Sequence, residues 1–417
     1  MLFFMLANKD TVCFKKRISS LLNLAFLILL FFSFLSCSED AVSSESGSPK
    51  ISEKLVIVFH LPDGLGDNSY TDILTYGIHK AAIDNNLLVY DVIPDNMEND
   101  AINKMQKVFA SYREIIGAEE NAEISVLFIF ANEEYLGLLR LKDKFGEILS
   151  STENPFTYLL LESMEITPDS YLLDEDSDLS VVSSVYVPIY GASYLAGKAT
   201  KELLSSKTNP RVITLLANDY MESLNDGLQG FAQGYGKSDD PYIFNYYDTE
   251  RQEASAITQL DFLVETINNQ AAGGDIHGFN SQDIAYKIAY NDNFNHFDLY
   301  FPICGGSIHG LLRYNREWGK DSFYTVGMDS DMSRYSSQVP FSVVRHVDKA
   351  AKLCIKQWLD GKIPHFQRLG LEEGYTELVI SKGYEKLSQT VEKNLSEAIE
   401  MEKKFYENQD ENSESGI

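Results

Sequence analysis

Apolar residues along this chain come in short unbroken runs, separated by longer stretches in which they recur every three or four positions. Leu55-Val56-Ile57-Val58-Phe59 is one such run, as a strand buried on both faces requires. After a Gly/Asp loop, Tyr70, Ile73, Leu74, Gly77, Ile78 and Ala81 share one helical face. The alternation continues with strands near 87–93, 124–130, 157–161 and 181–187, and with helices near 99–117 and from Glu133. A second series opens with a helix near Tyr190. It runs through strand Val212–Leu216, helix 222–235, strand 242–247, helices 255–269 and 280–290, strand 298–303, helix 307–318 and strand 322–328. A helix over 346–360 places Val347, Ala350, Ala351, Cys354 and Trp358 on one face and stops at Gly361. From about 385 the chain reads as a charged helix, and Glu407 to Ile417 as an acidic tail too polar to order. Strand and helix in alternation predict an α/β fold of two doubly wound parallel-sheet lobes, joined by a hinge. The C-terminal strand ends of both lobes would then face one crevice. The crevice loops are expected at 60–70, 131–135, 188–191, 217–222, 304–309 and 328–334.

The first 50 residues break this pattern. Lys15-Lys16-Arg17 precedes a charge-free apolar run from Leu21 to Leu35, then Ser36-Cys37. That is the order of a secretory signal, and the run is short for a membrane span, which needs about 20 apolar residues. Phe34-Leu35-Ser36-Cys37 resembles the lipobox of bacterial lipoproteins. The resemblance implies that 1–36 is removed, that Cys37 carries the lipid, and that the Ser-rich segment 37–50 is a flexible tether. The expected location is the cell envelope of a Gram-negative bacterium, on its periplasmic face or outer surface, with membrane contact only through the anchor.

A net charge of −27 repels nucleic acid and anionic headgroups, so small molecules or proteins are the expected partners. Cys304 and Cys354 have neither a disulfide framework nor metal-ligand spacing, and both sit in apolar patterns that predict buried thiols. The scattered histidines show no helical metal-site spacing, and no cofactor is expected. Gly305-Gly306-Ser307-Ile308-His309 lacks the closing Gly of a nucleophile elbow, so the chain is not expected to be an enzyme.

Motifs at the predicted crevice loops resemble the basic membrane protein family of substrate-binding lipoproteins, which includes purine nucleoside receptors of ABC transporters. They are Gly64-Leu65-Gly66-Asp67-Asn68-Ser69-Tyr70, Tyr194-Leu195-Ala196-Gly197, Gly305-Gly306-Ser307, Val326-Gly327-Met328-Asp329-Ser330-Asp331, Ser342 to Ala350, and Gly370 to Gly374, in the family's order. The resemblance implies a type I periplasmic-binding-protein fold with three crossovers. One lobe would be 51–188 plus 341–362, the other 189–340 plus 363–384, followed by 385–417 as helix and tail. It implies a monomer that captures a nucleoside-like ligand for a membrane permease.

Ligand-binding candidates are Asp67, Ser69, Tyr70, Asn132, Tyr220, Gly306, Ser307, Asp329 and Arg345. Asp329 ends a strand, where a carboxylate can accept hydrogen bonds from a vicinal diol or else cap the next turn. Asp67 and Ser69 precede a helix and are equally ordinary N-terminal caps. Tyr70 and Tyr220 offer rings for stacking or for the core. Arg345 stands where the family has Lys, giving a planar fork instead of a point donor. Thr71, Gly191, Asn132 and Ile308 also depart from the family pattern. With Arg345, these departures leave open a sugar ligand, or a surface or sensory lipoprotein that uses the fold for protein interaction.

Overall fold

Side chains alternate across each central strand of a six-stranded sheet and build two cores from one run of sequence. The order is Phe366–Arg368, Val182–Tyr186, Phe156–Leu161, Ser125–Phe130, Lys54–Phe59, Leu88–Val92, and every pair is parallel. Leu55, Ile57, Phe59, Phe128 and Phe130 face helices Asn99–Ile116 and Lys142–Leu149. Val56, Val58, Leu127 and Ile129 face helices Tyr70–Asp84 and Val347–Leu359. A period of two is what sends neighbours to opposite faces, so an unbroken apolar run is required. The computed structural model describes residues 53–60, 65–67, 69–94, 99–117, 124–131, 133–149, 156–166, 179–218, 221–237, 262–267, 278–292, 297–319 and 322–415. Residues 51–417 form one compact unit. The expected signal, lipid cysteine and tether lie outside the described residues, as does the expected strand 242–247. Among the described residues no helix is long and apolar enough to cross a membrane.

The second lobe holds a parallel sheet in the order Phe262–Thr266, Val212–Leu216, Leu299–Ile303, Tyr324–Thr325. A three-stranded sheet follows, Gly327–Asp329, Phe341–Arg345, Thr376–Ile380, whose last pair is antiparallel. One core joins them, from Ile213 and Leu215 through Phe301 to Phe341 and Val343.

Five expectations are corrected. Phe341–Arg345, expected with the first lobe, joins the second, since its pairing with Gly327–Asp329 and Thr376–Ile380 is set by proximity that local pattern does not encode. Phe262–Thr266, placed in a helix over 255–269, is an edge strand bonded to Val212–Leu216; a short apolar run has no period long enough to tell strand from helix. The strand expected at 322–328 divides at Val326, serving the second sheet before it and the third after it. Phe366–Arg368 adds to the edge of the first sheet beside Val182–Tyr186, although everything after 363 was expected in the other lobe. The acidic tail is ordered to Ser415 as the end of helix Ser388–Ser415. Phe405 and Tyr406 anchor that helix among Tyr186 and Tyr190, so packing outweighs the polar composition.

Cys304 and Cys354 are buried free thiols, as their apolar settings predict.

Candidate functional site

Asp329 terminates the strand Gly327–Asp329 with φ of 65°, in the left-handed region, and is 2% exposed. Its Oδ2 accepts from the Ser69 hydroxyl, which belongs to the first lobe. Its Oδ1 accepts from Arg345 Nε at 2.7 Å. Arg345 Nη1 reaches back to Glu162 Oε2 at 2.6 Å, and the guanidinium lies 4.8 Å from the centre of the Tyr70 ring. Two strand ends of the second lobe thus meet a strand end and a helix start of the first at one guanidinium.

Glu162 follows directly on strand Phe156–Leu161 and also has a positive φ, 60°. The other two non-glycine residues with positive φ among the described residues are Asn86 and Asn209, a residue type that tolerates this conformation in turns. Asp tolerates it as Asn does, whereas Glu pays about 1 kcal/mol or more there, a strain that persists where surrounding structure fixes it and that clusters at functional sites. Burial, opposed by Arg345 and reinforced by Asp329, pushes the Glu162 carboxyl up to about 7. Near neutral pH it therefore exists both as acceptor and as donor.

Among the residues singled out from the sequence, Ser69, Tyr70, Asp329 and Arg345 come together in this cluster. Asp67 lies beside it in a different role. Its carboxylate accepts from the amides of Ser69 at 2.8 Å, Thr71 at 3.2 Å and Asp72 at 3.3 Å, and so caps helix Tyr70–Asp84. Asp67 does the capping that Ser69 would ordinarily do, which frees the Ser69 hydroxyl to cross to the other lobe. Gly306 approaches Asp67 closely: a Cβ on Gly306 would lie 2.9 Å from the Asp67 carbonyl oxygen. Ser307 does not join this cluster. Its fully buried hydroxyl donates to the Gly278 carbonyl at 2.8 Å and accepts from the Ser281 amide at 2.7 Å, fixing a loop of its own lobe. Asn132 and Tyr220 lie outside the described residues.

Glu162 was missed because the loop after Phe156–Leu161 was not counted among the crevice loops. The signal was available: a carboxylate placed directly after Leu159-Leu160-Leu161, at the C-terminal end of a parallel strand.

The two functions of this loop predict separable effects. Asp67→Ala should cost about 1–2 kcal/mol of stability by urea unfolding, the usual cost of a lost cap. Ser69→Ala should cost about 1 kcal/mol, the value of one hydrogen bond, and its loss should vanish when Asp329 is already replaced. Additive losses in that double mutant would show that the Ser69 hydroxyl is stabilised by something else.

No protein-family model matches the chain, and no curated protein matches it. Solved structures do. A solute-binding protein of an ABC transporter system from Aeropyrum pernix K1 is similar with a TM-score of 0.52 and 17% identity, over 82% of this chain and 86% of that one. The fold is that of the type I periplasmic binding proteins. A transcriptional activator of the comK gene from Bacillus halodurans is similar at 0.53 and 12%, over 82% and 96%. A periplasmic solute-binding protein of an ABC transporter from Actinobacillus succinogenes 130z, with bound D-allose, is similar at 0.50 and 11%, over 81% and 99%. These likenesses establish two α/β lobes with parallel sheets, the architecture that places Asp329, Arg345, Glu162 and Ser69 at facing strand ends.

Proposed function

We propose that this chain is a lipid-anchored solute-binding protein of the cell envelope, which captures a small polyhydroxylated ligand, a purine nucleoside foremost, and hands it to an ABC-type transporter. The observation that carries this reading is the junction of Asp329, Arg345, Glu162 and Ser69, where groups from both lobes converge on one point. A carboxylate has about four acceptor positions, and protein donors among the described residues use two of those on Asp329, leaving acceptor capacity for the hydroxyls of a diol once the lobes part. Tyr70 supports the same reading: its hydroxyl is buried and has no partner among the described residues, while its ring presents an aromatic face. Contacts drawn from both lobes are complete only in the closed form, so ligand would shift the population toward closure. The Aeropyrum and Actinobacillus proteins, transporter components by description, lend this role support from the fold. A sugar in place of a nucleoside is favoured by the D-allose in one of them, and a sensory role by the comK activator.

Mass spectrometry of small molecules released on denaturing the purified protein tests this directly. A co-purified purine nucleoside, or a rise in melting temperature with one member of a nucleoside panel, is the expected result. A response to sugars alone would reassign the ligand; indifference to both panels would overturn the binding role.

A further inference from the structure

Three segments carry the chain between the lobes. They are 187–189, leading from strand Val182–Tyr186 to helix Tyr190–Leu203; His346, between strand Phe341–Arg345 and helix Val347–Leu359; and 369–375, between strands Phe366–Arg368 and Thr376–Ile380. The last helix, Ser388–Ser415, lies along the second lobe, where the Tyr194 hydroxyl donates to Glu397 at 2.8 Å and Ala398 enters the core. It also touches the crossovers themselves. Glu402, 6% exposed, accepts from the Gly191 amide at 2.7 Å and the Leu371 amide at 2.9 Å, so one carboxylate joins the helix start just past the first crossing to the start of the third. A side chain at Gly191 or Gly370 would collide with that carboxylate, which accounts for glycine at both. One turn on, the Tyr406 hydroxyl donates to Asp226 at 2.8 Å, and Tyr186 of the first lobe donates to the same Asp226 oxygen at 2.6 Å. Asp226 is 3% exposed and belongs to helix Glu222–Tyr235 of the second lobe. Arg368, on the edge strand of the first sheet, pairs with Asp410 at 3.1 Å and covers the Tyr406 ring at 4.6 Å.

We propose that the C-terminal helix is a hinge brace that sets how far the lobes open. A helix packed only for stability would need apolar contact with one lobe. This one adds to such contact a buried carboxylate, Glu402, and a buried phenol, Tyr406, whose bonds reach a crossover, a helix start and, through Asp226, a second-lobe helix that Tyr186 of the first lobe also holds. Lobe opening must change the backbone angles of the crossovers, and an amide of one crossing and the helix amide just beyond another are held by a single side chain whose position the helix fixes. The brace acts on the opening equilibrium whether or not the ligand is a nucleoside, so it does not depend on the assignment of the crevice.

Hydrogen exchange and small-angle X-ray scattering on the full chain without added ligand test the proposal, with Glu402→Gln and the milder pair Tyr406→Phe and Tyr186→Phe. The brace predicts about tenfold faster exchange or more at the Gly191 and Leu371 amides in Glu402→Gln, the loss expected from charge-assisted bonds. It also predicts faster exchange in crevice peptides 65–72 and 325–331, and a larger radius of gyration, in every variant. Lys404→Ala, which removes an exposed bond internal to the helix, should change none of these. Faster exchange confined to the helix and crossovers, with crevice peptides and radius as in the wild type, would overturn the brace. Should Glu402→Gln fail to fold, Tyr406→Phe decides the matter, because it removes the bond from the helix to Asp226 and keeps the ring packing of Tyr186 against Tyr406.

Discussion

Asp329→Asn is expected to weaken ligand binding by at least about 100-fold and to lower stability by about 3 kcal/mol. The substitution keeps the shape of the side chain and tolerates the left-handed backbone at φ of 65°, so its effects report charge and not strain. It leaves Arg345, whose side chain is 12% exposed, with Glu162 as its remaining carboxylate partner in this cluster. Removing one partner of a buried pair costs about 3–5 kcal/mol, and because Glu162 remains, the lower end applies. The binding loss follows from two charge-assisted hydrogen bonds to ligand at about 1.5–3 kcal/mol each. Asp331→Asn, two residues on and exposed, is the control, since among the described residues that carboxylate accepts from the Ser333 amide at 2.9 Å in its own turn. Titration calorimetry and urea unfolding measure both quantities. Unaltered affinity in Asp329→Asn would remove this carboxylate from the ligand site, whatever the stability change.

The second large effect is on stability as a function of pH. Burial pushes the carboxyls of Glu162 and Glu402 up to about 7, against an ordinary value of 4.5, although Arg345 pulls the first down and the Leu371 and Gly191 amides pull the second down. A carboxyl with a raised folded pKa binds its proton more tightly in the folded chain than in the unfolded chain. Its favourable contribution is therefore complete below about 4.5 and is lost as pH rises toward 7. At 1.36 kcal/mol per unit, each group accounts for about 3 kcal/mol across that window. Unfolding free energy is expected to be higher at pH 5 than at pH 8, and Glu402→Gln should remove about half of the difference. Equal stability at the two pH values would mean that both carboxylates are stabilised in ionised form by the groups around them.

The fold was legible wherever packing demand is written in local periodicity. Leu55-Val56-Ile57-Val58-Phe59 read as a buried strand because it is rich in β-branched residues and ends at a Gly/Asp loop, and Val347 to Trp358 read as an amphipathic helix because its apolar residues recur at the helical period. Phe262–Thr266, equally short but interrupted by Glu265, was not told apart from a helix, and Ser388–Ser415 ended beyond its apolar pattern because Tyr406 and Phe405 are held by tyrosines distant in sequence. The candidate site divides in the same way. Ser69, Tyr70, Asp329 and Arg345 could be named because each occupies a strand end or helix start, the positions that open α/β sheets expose to a crevice. Their pairing could not. Ser69 and Asp329 are 260 residues apart, and Arg345 and Glu162 are 183 apart. Sequence by itself determined the buried faces of strands and helices and offered strand ends and helix starts as crevice candidates, since both follow from local pattern. Only the tertiary structure decided that Asp67 caps so that Ser69 can cross, that Ser307 faces its own lobe, and that Glu402 joins a crossover to a helix start, because hydrogen-bond partners are chosen by proximity in space, which local periodicity does not encode.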